Sequence, residues 1–229
     1  MVRFERPLVA VSLNDENYRE RIKRAKESGA DAVEYRVDAF EDQNLDHCEE
    51  VIRFGNSLGL KGILTVRSRE EGGVNPPADR LPYFERLTPL VDFVDVELRS
   101  EEEELEEVRR LVKCENKLLI LSYHDFEKTP PEEVLNQIFT EMVEKGADLA
   151  KVAVKADDYS DAARLLCVAA RQPVPTVAIA MGEKGKVSRV AGFAFNSVIT
   201  YCALDRAFAP GQLTVEDARK IIEQIFLSS

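Results

Sequence analysis

Short apolar, β-branched runs alternate along the chain with longer segments in which apolar residues return every three or four positions. The first pattern suits buried strands and the second amphipathic helices. Eight runs read as strands, at 7–13, 32–38, 62–67, 93–98, 118–124, 149–154, 176–181 and 197–204. Helical segments fall between them, for example at 14–28, 131–145 and 159–171, and a last one at 214–226 follows the eighth strand. Ser100 and Glu103 read as a capping box for the fourth helix, whose acidic start suits the positive end of the helix dipole. No linker or composition shift interrupts the alternation. Eight βα units predict an α/β chain folded as one (β/α)8 TIM barrel over residues 1–229, with an open doubly wound sheet as the alternative.

A short repeat favours the barrel. Glu27-Ser28-Gly29-Ala30-Asp31 leads into the second strand and Glu144-Lys145-Gly146-Ala147-Asp148 into the sixth, each with glycine where a helix would end. If the copies are equivalent, Glu34 and Lys151 stand at one height on two even-numbered strands and face each other across the barrel axis.

Several strands also carry charge where a buried strand should be apolar. Glu34, Arg36 and Asp38 recur at period two, which predicts one shared face. Arg67 ends the third strand, Asp95 and Glu97 lie on the fourth, Ser122 and His124 end the fifth, and Ser12 stands near the end of the first. Unpaired buried charge costs several kcal/mol, so these groups must pair with one another or serve chemistry at the C-terminal mouth of a barrel.

Lys151 is the most informative of them. Small apolar neighbours deprive it of the hydration that favours the ammonium, which makes a nucleophilic amine accessible and imine chemistry possible. Lys155, at the strand end, reads as solvated. His124 is one of two histidines and is suited to general acid and base work at a barrel mouth, whereas His47 falls in a helical region. The loop 182–189 after the seventh strand lacks phosphate-loop spacing and reads as a glycine-hinged lid.

Composition narrows the classes. With 45% apolar and 32% charged residues the chain can bury a full core. A net charge of -11 argues against nucleic acid as a partner, and an anionic substrate would require arginines to gather locally. No stretch is long and apolar enough for a membrane span, and Arg3, Glu5 and Arg6 stand where a signal peptide would be apolar, so a soluble cytoplasmic protein is expected. The four cysteines are scattered and read as reduced and partly buried, and no metal site is expected.

Together these motifs resemble type I 3-dehydroquinate dehydratase, a barrel enzyme of the shikimate pathway. The carriers are Val33-Glu34-Tyr35-Arg36-Val37-Asp38, Thr65-Val66-Arg67-Ser68 with Glu71-Gly72-Gly73, Val94-Asp95-Val96-Glu97-Leu98, Ser122-Tyr123-His124-Asp125-Phe126 and Gly146-Ala147-Asp148-Leu149-Ala150-Lys151. Met181-Gly182, Ser188-Arg189-Val190-Ala191-Gly192 and Ala209-Pro210-Gly211-Gln212 complete the set.

The resemblance implies Lys151 as the imine-forming lysine, His124 as the catalytic histidine and Glu71 as a third catalytic residue. It assigns substrate contacts to Ser12, Glu34, Arg36, Arg67, Arg189 and Gln212. The substrate would be 3-dehydroquinate, no metal or organic cofactor would be needed, and the protein would be a homodimer. Phe208 stands where the family often has a hydroxyl residue, and the first strand begins with little sequence before it to cover the barrel floor. No fused shikimate dehydrogenase is expected in these 229 residues. A class I aldolase, which uses a barrel lysine in the same way, is the alternative enzyme, and a non-catalytic barrel binding a small acid is the alternative outside enzymes.

Overall fold

The computed structural model describes residues 4–204 and 211–227. Eight strands, β1 (Leu8–Leu13), β2 (Ala32–Arg36), β3 (Lys61–Thr65), β4 (Phe93–Glu97), β5 (Leu118–Asp125), β6 (Leu149–Lys155), β7 (Thr176–Met181) and β8 (Ile199–Cys202), form one parallel sheet. Every strand pairs with its neighbour in sequence from β1 to β7, and β1 also pairs with β8. An open doubly wound sheet would reverse its order partway, so this order excludes it. A bridge between Thr176 and Ser197, just below β8, joins β7 to the far edge and nearly closes the barrel.

Helices α1 (Tyr18–Glu27), α2 (Leu45–Ser57), α3 (Leu81–Leu87), α4 (Glu102–Cys114), α5 (Glu132–Glu144), α6 (Tyr159–Ala169), α7 (Lys186–Ala191) and α8 (Val215–Ile222) alternate with the strands. Asn44, Asp158 and Thr214 cap α2, α6 and α8 by accepting backbone N–H groups of the first turn. The expected capping box on α4 does not form. Glu101 takes the cap position, and Ser100 turns its hydroxyl to Glu97 and Arg80, so a stronger charged partnership displaces the local one. Helix α1 begins four residues later than the sequence suggested, because Asn17 adopts a left-handed conformation (φ 46°) that cannot continue a helix.

The repeat is structural. Gly29 and Gly146 both have positive φ (95° and 87°), and the N–H of the following alanine bonds back to the helix just ended. Asp31 then accepts the N–H of Val9 at 2.9 Å, and Asp148 that of Leu119 at 2.8 Å. Asp92 repeats the bond to Gly62 before β4 at 2.9 Å. Each aspartate ties an even strand to the odd strand before it and so sets strand height. The residues three positions on, Glu34, Asp95 and Lys151, therefore enter the barrel at a common level.

Side chains alternate between two cores. Outward residues such as Val33, Val94 and Val152 pack under the helices, while Ala10, Ala32, Ile63, Phe93, Ile120 and Leu149 fill the inside of the barrel. Phe4 packs against this inner cluster, so the short segment before β1 does help to cover the barrel interior. Above the apolar layer the inward positions turn polar, and there the candidate site begins.

Candidate active site

Strand geometry places the charged layer. β6 pairs with β5 so that Lys151 lies beside Ser122, and β5 pairs with β4 so that Ser122 lies beside Glu97. Lys151 is 4% exposed, and its Nζ donates to Asp95 Oδ2 at 2.7 Å and to Glu34 Oε1 at 3.4 Å. The expectation that Glu34 and Lys151 face each other across the axis is met. The lysine nevertheless meets two carboxylates, not the apolar walls that its strand neighbours suggested.

These carboxylates are themselves held. Asp95 Oδ1 accepts from Arg67 at 2.8 Å and from the Ser122 hydroxyl at 2.6 Å. Burial pushes the Asp95 carboxyl up, but the Arg67 and Lys151 cations outweigh it and hold it well below the usual carboxylate range. Glu34 accepts from Ser12 on one oxygen and from Thr65 at 3.0 Å on the other. Arg67 also approaches Glu97 at 3.1 Å, and Glu97 in turn holds Arg80 at 2.7 Å and the Ser68 N–H at 2.7 Å. Buried charges of opposite sign thus run from Lys151 to Arg80.

Asp38 departs from its predicted place. β2 ends at Arg36, and Val37–Ala39 form a 3₁₀ turn, so the period-two face stops two residues before Asp38. The turn aims Asp38 back at its own strand, where it takes both Nε and NH2 of Arg36 at 2.8 and 2.7 Å and the N–H groups of Arg67 and Val74. Its role is to orient Arg36 and pin the loop after β3.

His124 sits near the top of β5, about 7 Å up the strand from Ser122 at two residues' rise. Its Nδ1 lies 2.9 Å from Glu71 Oε2, and the same oxygen accepts the His124 backbone N–H at 3.1 Å. A carboxylate at Nδ1 favours the tautomer with the proton there, leaving Nε2 as the basic nitrogen. Burial lowers the imidazole pKa well below 6.5, with the Arg67 and Lys151 cations adding to it, so the ring is neutral at pH 7. Burial raises the Glu71 carboxyl to about 7, against the pull of Arg67. Glu71 Oε1 is buried and has no hydrogen-bond partner among the described residues. Phe126 stacks near the imidazole, with ring centroids 6.2 Å apart.

All nine residues singled out from the sequence, Ser12, Glu34, Arg36, Arg67, Glu71, His124, Lys151, Arg189 and Gln212, line one cavity of about 110 Å³ at the barrel mouth. Ala209, Pro210 and Phe208 fall outside the described residues. A larger hollow of about 660 Å³ lies between the loop after β3 and the start of α4, but it shares only Glu71 with this set and is lined by charges of both signs. The residues singled out for chemistry gather at the smaller one.

The segment after β7 is not an open loop. It becomes helical at Lys186, and Ser188 anchors it by accepting the Ala180 N–H at 2.9 Å and donating to the Gly185 carbonyl at 2.8 Å. Arg189 is consequently buried, with NH1 donating to the Tyr201 carbonyl at 3.2 Å, and burial pushes its guanidinium down to about 10, still charged at neutral pH. Arg36, Arg67 and Arg189 gather at the cavity, Arg36 paired with Asp38 and Arg67 with Asp95 and Glu97.

His47 is remote from the cavity, on α2 and 3.2 Å from Asp15, and Lys155 points outward toward Asp157, as the sequence suggested. Two site residues were missed, and Asp95, noted as a charge on the fourth strand, was given no role of its own. Asp95 stands three positions after Asp92, the offset that relates Lys151 to Asp148 and Glu34 to Asp31, so the repeat could have placed it at the level of Lys151. Tyr201, whose hydroxyl is 3.3 Å from Lys151 Nζ, and Arg80 carried no comparable sequence signal.

The family model for type I 3-dehydroquinase matches residues 8–229. The 3-dehydroquinate dehydratase of Aquifex aeolicus is 45% identical over 219 residues, covering 96% of this chain and 99% of its own. That of Methanopyrus kandleri is 39% identical over 201 residues, covering 87% and 89%. The crystal structure of the Aquifex aeolicus enzyme superposes with a TM-score of 0.91 over 96% of this chain and 99% of its own. The type I enzyme from Clostridium difficile, with covalently modified comenic acid, gives 0.89 at 29% identity over 98% and 94%. A deoxyribose phosphate aldolase from Aeropyrum pernix, 14% identical with a TM-score of 0.63 over 94% and 88%, shares the barrel fold alone.

Proposed function

The chain belongs to the type I 3-dehydroquinase family, whose members are hydro-lyases, and from that premise we propose that it dehydrates 3-dehydroquinate through an imine on Lys151 with His124 as base and then acid. The observation that carries this reading is the pairing, in one cavity, of a buried lysine with a neutral histidine two residues higher on the adjacent strand. That offset suits a base acting on the carbon next to the one bonded to nitrogen.

Lys151 Nζ attacks the ring ketone, and loss of water leaves a protonated imine that draws electrons from the adjacent carbon. His124 Nε2 takes a proton from that carbon, and the C–H electron pair moves into the C–N system as an enamine. The enamine then expels the hydroxyl on the next carbon, which leaves with the proton that His124 returns. One histidine serving both steps makes the elimination syn. Water hydrolyses the remaining conjugated imine to 3-dehydroshikimate and frees the lysine.

Glu71 holds His124 in the required tautomer and stabilises the imidazolium formed between the two steps. Arg36, Arg67 and Arg189 are placed to receive the substrate carboxylate, with Ser12, Glu34 and Gln212 for its hydroxyls. Residues 1–229 act as one catalytic domain in this reading, and the assembly is a homodimer, for which light scattering should give about twice the chain's 25.8 kDa.

Borohydride added during turnover of 3-dehydroquinate should reduce the imine and leave a stable adduct on Lys151, located by peptide mapping. A label on another residue, or a Lys151→Ala enzyme that still produces the enone absorbance of the product, would refute the assignment.

A further inference from the structure

Tyr201 stands on β8 with its ring inside the barrel, 4% exposed, and its hydroxyl oxygen accepts from Lys151 Nζ at 3.3 Å. The same nitrogen lies 4.4 Å from the ring centroid. The side chain lines the cavity, and no side chain or backbone group takes the hydroxyl proton among the described residues.

Imine formation moves two protons. The reactants are R–NH3+ and a ketone C=O, and the products are R–NH+=C and H2O. Both protons that nitrogen loses therefore finish on the former ketone oxygen, and no outside acid or base enters the balance. Direct passage from nitrogen to oxygen across the new C–N bond would close a four-membered ring, far from the near-linear geometry that hydrogen bonding favours. A hydroxyl touching the nitrogen and open to the cavity removes that strain.

We propose that Tyr201 is a catalytic residue of imine formation, its oxygen taking a proton from Lys151 nitrogen as its own proton passes to the substrate oxygen, once as the freed nitrogen lone pair adds to the ketone carbon and once more as the resulting hydroxyl leaves. In the second passage the nitrogen lone pair forms the C–N double bond while the C–O bond breaks with its electron pair leaving on oxygen as water, and the tyrosine ends as it began.

The other groups near the nitrogen are less suited. Asp95 is closer but is held ionised between Lys151 and Arg67, so it carries no proton to give. Both oxygens of Glu34 are engaged by Ser12 and Thr65. Burial, with Glu34 and Asp95 adding to it, raises the Tyr201 hydroxyl well above 10, so it exchanges one proton for another without ever ionising.

The inference rests on the imine reading, and Tyr201→Phe separates the two. The variant keeps the ring beneath the ammonium and loses only the relay. In rapid-quench borohydride trapping, the first-turnover rate of adduct formation should fall about a hundredfold, the usual scale for a lost proton-transfer group, with KM little changed and the label still on Lys151. Adduct formation at the wild-type rate in Tyr201→Phe overturns the relay and leaves the imine reading standing. Absence of any Lys151 adduct in the wild type overturns both. If thermal melting shows that the variant does not fold, mixtures of H2O and D2O decide on the wild type: the rate of adduct formation should curve with deuterium content as two protons move together, and a linear dependence overturns the relay.

Discussion

Replacing Asp95 by asparagine tests the buried charge layer most directly. The carboxylate takes Lys151 at 2.7 Å, Arg67 at 2.8 Å and Ser122 at 2.6 Å, and none of the three residues is exposed. An amide of the same shape keeps one acceptor oxygen but turns N–H donors toward a cation. Lys151 retains Glu34 at 3.4 Å and Arg67 retains Glu97 at 3.1 Å, so neither is stranded outright. Breaking a buried ion pair on one side costs about 3–5 kcal/mol, which for a chain of this size lowers Tm by about 6–20 °C.

The pH dependence has a definite sign. The folded-state pKa of Asp95 is depressed, so its contribution is fully present above the unfolded value near 4 and is lost only as pH falls below that, toward the folded pKa. Thermal melts of wild type and Asp95→Asn between pH 8 and 3 should therefore run parallel down to about pH 4 and converge below it. Adding Lys151→Met to the variant should cost less than the sum of the two single changes, because one cation no longer needs the missing charge. A loss under about 1 kcal/mol at neutral pH would mean that the cations lean on other partners and would refute the assignment of Asp95 as the hub.

Glu71 rises to about 7, so its protonation should withdraw the acceptor that fixes the His124 tautomer, and kcat/KM should fall as pH drops through that value; Glu71→Gln should lower activity and remove this acid limb. A pH profile of that variant retaining an inflection near 7 would assign the limb to another group. Arg80→Met takes one cation from Glu97, which keeps Arg67, so the loss should be about 3 kcal/mol at the low end for a broken buried pair, read by urea unfolding. Gly185→Ala places a Cβ 2.1 Å from the Ala180 backbone oxygen; the start of α7 should shift with Arg189, and KM for the anionic substrate should rise more than kcat falls. An unchanged KM would show that Arg189 does not bind the carboxylate.

The alternation of strand and helix patterns was legible because each period reports one face of a local element, and the eight strands and most helix ends follow it. Local patterns failed where a distant partner competed. Ser100 abandoned its cap for Glu97 and Arg80, and Asp38 left the strand face to clasp Arg36 in a 3₁₀ turn. Segment 182–189 looked like a loop because its anchor, Ser188 on the Ala180 N–H, joins residues that no local pattern connects.

By itself, the sequence determined that charged side chains would stand at fixed spacing on otherwise apolar strands, since strand period and the glycine–aspartate repeat are local properties. Only the tertiary structure decided which charges meet. Closure of eight strands brings Glu34, Asp95 and Tyr201, from three different strands, against the single nitrogen of Lys151. Their separations along the chain are 117, 56 and 50 residues, and contacts of that range follow from the barrel's curvature and register, which no single segment encodes.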